Sequence, residues 1–328
     1  MTTFLALETS CDETAAAVFT SDLRVLSSVV ASQNALHAPF GGVVPEIASR
    51  AHVRTLFPVI DRALAEAKLQ LADIGCIAVH NTPGLVGALL VGVTAAKALS
   101  AALGVPLIAV NHIQSHIYAC RMAAGKDIFP CVGLVVSGGH TALFRCDTAL
   151  ELSLMGGTRD DAAGEAFDKV AAILGIGFPG GPNLEREAKL GNPNAFPFPR
   201  PFLKDERLEF SFSGLKTAVL YARRDHPEAK RSDLAASFQE AAVDVLVAKS
   251  RQALRKSGLM RLAVGGGVIA NGRLRMKLES MCAGENAELF IPPMNLCTDN
   301  AAMAALAVEK WKLGQFAAPD LDAEPNFL

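Results

Sequence analysis

The stretch FLALETSCDETAAAVFTSDLRVLSSVVA, residues 4–31, consists of three short apolar runs parted by polar turns. FLALET is a strand, Ser10 to Glu13 a tight turn, AAAVFT a second strand, Ser21-Asp22 a turn, and RVLSSVVA a third strand. This predicts a three-stranded meander. The same grammar returns beyond Pro130 in CVGLVVSGGHTALFRCDTALELSLM, residues 131–155, as strand, glycine turn, strand, a turn at Asp147, and strand. The two stretches share order but little sequence. A meander with a polar or glycine-rich first turn, given twice, predicts an α/β chain built by internal duplication, with two similar lobes facing a cleft.

Composition agrees with that class. At 328 residues each lobe is large enough to bury its own core. Hydrophobic residues make up 51% and aromatics only 6%, so the core is expected to be Ala, Val, Leu and Ile. The seven cysteines are odd in number, scattered, and never form C-x-x-C, which argues against a disulfide framework and a zinc ribbon and for a reducing cytoplasm. The start MTTFLALETSCDET has no basic segment and meets charge at Glu8, so no secretory signal is expected. The longest apolar stretch, Gly84 to Val110, is rich in Gly and Ala and carries Lys97, which predicts a buried helix followed by a strand and no membrane span. The net charge of −2 predicts no general attraction to nucleic acid. One local exception runs from Lys249 to Lys277, with eight Lys and Arg residues and no acid; it reads either as a seat for a phosphate backbone or as the solvated face of a helix.

Between the meanders, PEIASRAH opens a helix over Pro45 to Ala67, with Pro and acid in its first turn. Strand CIAVH, a TPG turn, the Gly/Ala-rich helix and strand PLIAV then lead into NHIQSH. In the second half, Gly175 to Phe212 is rich in Gly, Pro, Asn and Phe and is expected to be a large loop. Helices around Leu234 to Ser257, strand RLAV, a triple glycine, a helix opening at Asn271 and a last helix starting near Asp299 complete the chain.

Three glycine turns are read as following strands: Ser137 to His140, Gly265 to Gly267, and Pro179 to Gly181. Such turns let backbone N–H groups approach a phosphate or ribose, and a following helix N-terminus adds a favourable dipole. GGGVIANGRLR, with Asn271 at a helix start, is the most specific of the three for a nucleoside. Neither a P-loop nor G-x-G-x-x-G is present. His112 and His116, spaced i, i+4, share one helix face and can chelate one ion, although the spacing alone also fits two ordinary histidines. Ile113 stands where a zinc protease would carry Glu. Asp299 is the candidate third ligand, and two imidazoles with one carboxylate suit Fe(II), with Zn less specific. Asp12 and Glu13, in the first turn, can orient a metal-bound water or accept a proton, or are ordinary turn residues. Asp168, with Asn183 or Glu185, is a candidate for ribose hydroxyls or a plain helix-surface position.

Taken in order, ETSCDET, GGVVPEIASRAH, NHIQSHIYA, LVVSGGHT, GEAFDKVA, GFPGGPNLE, FSFSGLKTAV, GGGVIANGRLR and CTDNAAM resemble, along essentially the whole chain, the universal tRNA threonylcarbamoyladenosine transferase family, the TsaD proteins formerly described as O-sialoglycoprotein endopeptidases. The resemblance implies the duplicated actin-like, Hsp70-like and sugar-kinase-like ATPase fold, with residues 1–128 as one lobe, 129–328 as the other, and the helix at about 299–314 returning to the first. It implies an acyltransferase that moves threonylcarbamoyl from threonylcarbamoyl-AMP to N6 of adenosine-37 in tRNAs reading ANN codons, releasing AMP. It implies metal ligands His112, His116 and Asp299, with Fe(2+) ahead of Zn(2+) or Mg(2+). An adenylate pocket is implied at Val135, Val136, Ser137, Gly138, Gly139, Asp168, Gly181 and Asn271. The implied partners are tRNA, the paralogue TsaB, the ATPase TsaE and the adenylate supplier TsaC, and the basic run gains a claim on tRNA. Two positions depart from the family pattern: Thr82 stands where Gly precedes Pro-Gly-Leu, and Ala142 where Gln is frequent. The rival readings are an ATPase or kinase of the same fold, which would release ADP, a metalloprotease, and a non-catalytic scaffold.

Overall fold

The computed structural model describes residues 1–203 and 205–326. The chain divides into two compact units, Met1–Met122 with Thr298–Leu328, and Ala123–Cys297.

In the first unit, strands β1 (Thr3–Glu8), β2 (Glu13–Thr20) and β3 (Val25–Ser32) form the antiparallel meander. β1 and β2 are buried almost end to end, which is why they read as continuous apolar runs, whereas β3 lies at the sheet edge and alternates. After α1 (Asn34–His37) and α2 (Pro45–Ala67), strand β4 (Cys76–Thr82) adds parallel to β1. Helix α3 (Val86–Leu103) then leads to β5 (Leu107–Asn111), parallel to β4, giving the order β3-β2-β1-β4-β5. α3 is long and apolar enough by composition to cross a membrane, yet Ala88, Leu89, Gly92, Val93, Ala95 and Ala96 face inward and it packs on α2 and β4 as a core helix. Asn111 Oδ1 accepts from the N–H groups of Ile113 and Gln114 and so starts α4 (His112–Ala124).

The second unit repeats this plan. β6 (Cys131–Val136), β7 (Thr141–Cys146) and β8 (Leu152–Gly157) form the meander, and β9 (Arg261–Gly265) and β10 (Glu288–Phe290) extend it in parallel, in the order β10-β9-β6-β7-β8. Its helices are α5 (Ala163–Ile173), α6 (Gly180–Ala188), α7 (Ser213–Asp225), α8 (Arg231–Ser257) and α9 (Gly272–Gly284). The two sheets match strand for strand, the physical content of the repeated meander.

Four expectations need correction. The segment 175–212, expected to be a loop, contains α6, because the good helix formers of NLEREA follow Gly180, whose N–H is taken by Asp168 Oδ1 at 2.8 Å; Lys204, in the same segment, lies outside the described residues. The unit boundary falls at Met122 rather than 128. The whole segment from Thr298 joins the first unit, since Ala317 and Glu324 donate to the carbonyls of Leu107 and Asn81, and Lys97 Nζ holds that of Leu321. The last helix is a 3-10 segment, Ala301–Leu306, capped by Asn300 Oδ1 on the N–H of Met303, and only then α10 (Ala307–Lys312). Finally, the core is not aliphatic alone: Phe4 stacks on Phe19 at 5.2 Å, and Phe144, Phe210, Phe212 and Phe238 are fully buried. None of the seven cysteines is in a disulfide; six are buried and Cys11 is partly so.

Candidate active site

Within the first unit, α4 presents His112 and His116 on one face, with ring centroids 4.7 Å apart. Asp299 meets them: its Oδ1 lies 3.2 Å from Nε2 of His116 and 3.5 Å from Nε2 of His112. The three donor atoms fall within 4.8 Å of one another. Both ring nitrogens of His116 are buried: Nδ1 has no hydrogen-bond partner among the described residues, and Nε2 has only Asp299 near it, without hydrogen-bond alignment. Two buried imidazoles that turn Nε2 toward one carboxylate oxygen, one of them without an aligned hydrogen bond, form a donor set that fits a divalent transition metal. Burial alone would lower the pKa of His112, but the Asp299 and Glu8 carboxylates outweigh it and push it up to about 9. Burial holds His116 below its usual range. Asp299 is held low by the two imidazoles against the opposing effect of burial.

The sequence reading missed two residues of this centre. Glu8, at the end of β1, is fully buried, and its Oε2 lies 2.8 Å from Nδ1 of His80 and 2.9 Å from Nδ1 of His112. Burial would raise its pKa, yet the facing imidazoles of His80 and His112 hold it well below the usual carboxylate range. An acid inside an apolar strand, and a histidine closing the apolar run CIAV, were the available signals.

Asp12 ends the turn after β1, and Glu13, expected in that turn, opens β2. Burial, with Asp299 nearby, raises Asp12. Burial above all pushes Glu13 up to about 7, although Ser32 donates to it, and its buried Oε2 has no partner among the described residues. The turn is braced on two sides. His52 Nε2 lies 2.9 Å from the carbonyl oxygen of Cys11, and the N–H of Leu85 donates to that of Ser10 at 2.8 Å. Gly84 is obligatory here, since a Cβ would come within 2.5 Å of the Ser10 carbonyl oxygen. Thr82, the departure from the family pattern, gives its hydroxyl proton to the carbonyl of Asn326 at 3.3 Å and so ties the C-terminal segment to this turn. Ala142 sits in β7 opposite Val135.

In the second unit the predicted pocket residues gather through hydrogen bonds. β6 and β9 run parallel, with Val135 opposite Gly265, so the glycine turns after them lie side by side. Gly266, at φ +97°, has no room for a Cβ, which would sit 2.3 Å from the Val136 carbonyl oxygen. Gly138, Gly139 and Gly181 instead border open space. The N–H of Gly164 donates to the Ser137 carbonyl, Asp168 receives Gly180, and Glu185 Oε1 accepts from the N–H of Gly272 at 3.1 Å beside Asn271. The details refine the expectations. The side chains of Val135 and Val136 are fully in the core, so only their main chain can face a ligand. Asn271 is largely buried: its Oδ1 caps α9 on the N–H of Leu274, and its Nδ2 donates to Gln239 Oε1 at 2.8 Å. Asn183 faces Gly177 and Arg186. The turn at Pro179 follows a helix, α5, rather than a strand. FSFSGLK anchors the neighbouring loop: Asp160 Oδ1 accepts from the N–H groups of Phe212 and Ser213, and Lys216 pairs with Asp161 at 2.8 Å.

The basic run does not form a free cationic patch. Lys249 is buried and donates to the carbonyls of Asp205 and Arg207 at 2.7 Å. Arg251 and Arg255 pair with Glu285, Arg261 with Glu288, Arg273 and Lys277 with Glu240, while Lys256 and Arg275 hold the carbonyls of Glu206 and Ile269. The missing acids are supplied from outside the run, which linear charge counting does not register.

A duplicated α/β sheet fold thus carries a His/carboxylate group that could hold a metal ion in one unit and glycine turns at parallel strand ends in the other. Solved structures share the fold: a HypF in its phosphate- and nucleotide-bound form at TM-score 0.65 and 13% identity, covering 96% of this chain and 56% of that one, and the (R)-2-hydroxyglutaryl-CoA dehydratase component A of Acidaminococcus fermentans at 0.57 and 12%, covering 94% and 99%. These likenesses place the chain in the actin-like ATPase fold. The family model "TsaD: tRNA N6-adenosine threonylcarbamoyltransferase" matches residues 24–306. Relatives bearing that name are 50% identical in Rhodopirellula baltica (98% of this chain, 96% of the relative) and 51% in Moorella thermoacetica (99% and 96%). A third, in Trichlorobacter lovleyi, is 53% identical (92% and 90%). The chain belongs to the tRNA N6-adenosine threonylcarbamoyltransferase family, and it is an acyltransferase of tRNA modification acting in threonylcarbamoyladenosine synthesis.

Proposed function

We propose that the chain takes threonylcarbamoyl-AMP as donor and adenosine-37 of ANN-reading tRNAs as acceptor, with one divalent metal, Fe(2+) before Zn(2+) or Mg(2+), held by His112, His116 and Asp299. The convergence of Nε2 of His112 and Nε2 of His116 on one oxygen of Asp299 carries this reading. Bound there, the metal supplies Lewis acidity toward the carbamoyl or threonyl carboxylate oxygens. The open turn at Gly138 and Gly139, with Gly181, offers backbone N–H groups to the adenylate. The N6 amine attacks the carbamoyl carbon, a C–N bond forms, the C–O bond of the mixed anhydride breaks, and AMP leaves with the electron pair. Since that leaving group is already good, orientation and charge stabilisation provide most of the catalysis. Glu13, with its pKa near neutrality, accepts the amine proton, and Asp12 steadies the turn that holds it.

TsaB, TsaE and TsaC are the expected partners, in the cytoplasm. In a reaction of these proteins with threonine, bicarbonate, ATP and unmodified tRNA, the wild-type chain yields the modified nucleoside and AMP. His112→Ala loses bound metal and slows transfer by about 100-fold or more; unchanged metal content and rate would refute the scheme.

A further inference from the structure

His112 belongs to two clusters at once. Its Nε2 faces Asp299, while its Nδ1 faces Glu8 Oε2 at 2.9 Å. The same Glu8 oxygen lies 2.8 Å from Nδ1 of His80, whose Nε2 is 2.9 Å from Ser115 Oγ, and the other Glu8 oxygen accepts the N–H of Ser10. Glu8, His80 and His112 are also close enough to hold a cation. The lengths decide between the two. A carboxylate only accepts, so a ring nitrogen 2.9 Å away carries a proton and already fills the space an ion would need. On the outer side neither ring nitrogen of His116 makes an aligned hydrogen bond among the described residues, although Asp299 Oδ1 lies 3.2 Å from Nε2. On the inner side Nδ1 of His80 is likewise unaligned toward Glu8, so the hydrogen bond between Glu8 and His112 Nδ1 is the one that fixes a ring. A buried carboxylate in an apolar sheet is costly unless its lone pairs are filled, and the donors that fill them here, the Ser10 N–H and His112 Nδ1, are fixed in orientation by doing so.

We propose that Glu8, braced by His80 and Ser115, is a positioning residue that fixes His112 in its Nδ1-protonated tautomer, so that Nε2 is the atom presented to the metal. The inference rests on the reading of His112, His116 and Asp299 as ligands, and Zn(2+) titration of the unaltered chain tests that reading by itself. Glu8→Gln keeps the shape but loses the charge and can accept only through one oxygen. It should weaken Zn(2+) binding about 10- to 100-fold in competition with a chelating dye. Equal affinity in Glu8→Gln and the unaltered chain would overturn the inference and leave the ligand reading standing, whereas no binding by the unaltered chain would remove both. Should Glu8→Gln fail to fold, the ring nitrogen shifts of His112 in the Zn(2+)-loaded unaltered chain decide. A proton on Nδ1 and metal on Nε2 support the positioning role; metal on Nδ1 overturns it and moves the ion to the Glu8 and His80 side. A purely structural Glu8 would not set which nitrogen binds.

Discussion

At the scale of single residues, the centre depends on acids placed where strands are otherwise apolar. Burial disfavours the charged form of Glu13 and pushes its pKa up to about 7. As base it must be ionised, so kcat/KM is expected to rise with pH through an acid limb near 7 and to level above it. Glu13→Gln should lower the rate by about 100-fold and abolish that limb. A pH–rate profile checks both, and an unchanged limb in the variant would assign the titration elsewhere. His112, His116 and Asp299 were legible because helical spacing and motif order speak about them directly. Glu8 and His80 were not, because their partners are remote in sequence and a lone polar residue at a strand end reads as the start of a turn.

At the scale of elements, hydrogen bonds and ion pairs set the limits of sequence reading. The meanders, α2 and the parallel strands follow from periodicity and end signals, and the structure places them within a few residues of expectation. α6 was hidden by surrounding Pro and Gly, and the basic run looked free because Glu240, Asp244 and Glu285 were out of view. Glu240 joins α8 to α9: Arg273 chiefly, with Lys277, holds its pKa at about 2 against the ordinary 4.5. A depressed folded pKa contributes stability that is fully present above about 4.5 and lost as pH falls toward 2. Glu240→Gln should therefore lower the melting temperature at neutral pH, with the gap to wild type closing between pH 4.5 and 2. A gap that persists at pH 2 would place the effect in packing rather than charge.

At the scale of the whole molecule, the duplication was legible because a repeated meander has few other solutions; the return of the chain near Asp299 was expected only from family resemblance, and its continuation to the C-terminal strap rests on main-chain bonds and on Lys97 and Thr82, whose partners are remote in sequence. With a net charge of −2 and its longest basic run already paired, the chain is expected to meet tRNA through contacts outside that run. Arg251→Ala with Arg255→Ala is expected to leave tRNA affinity within about twofold and the salt dependence unaltered; a slope smaller by about two would show that these side chains do meet phosphates. The cysteines add a practical consequence. Thiolates, not thiols, react with electrophiles, and burial pushes Cys76 up to about 12 and Cys282 to about 11, while Cys11 is raised well above its usual value by burial and the adjacent Asp12. Toward maleimide at neutral pH the native chain should be nearly silent, so a single cysteine introduced on the surface of either unit can carry a fluorophore or spin label without first stripping out the seven already present.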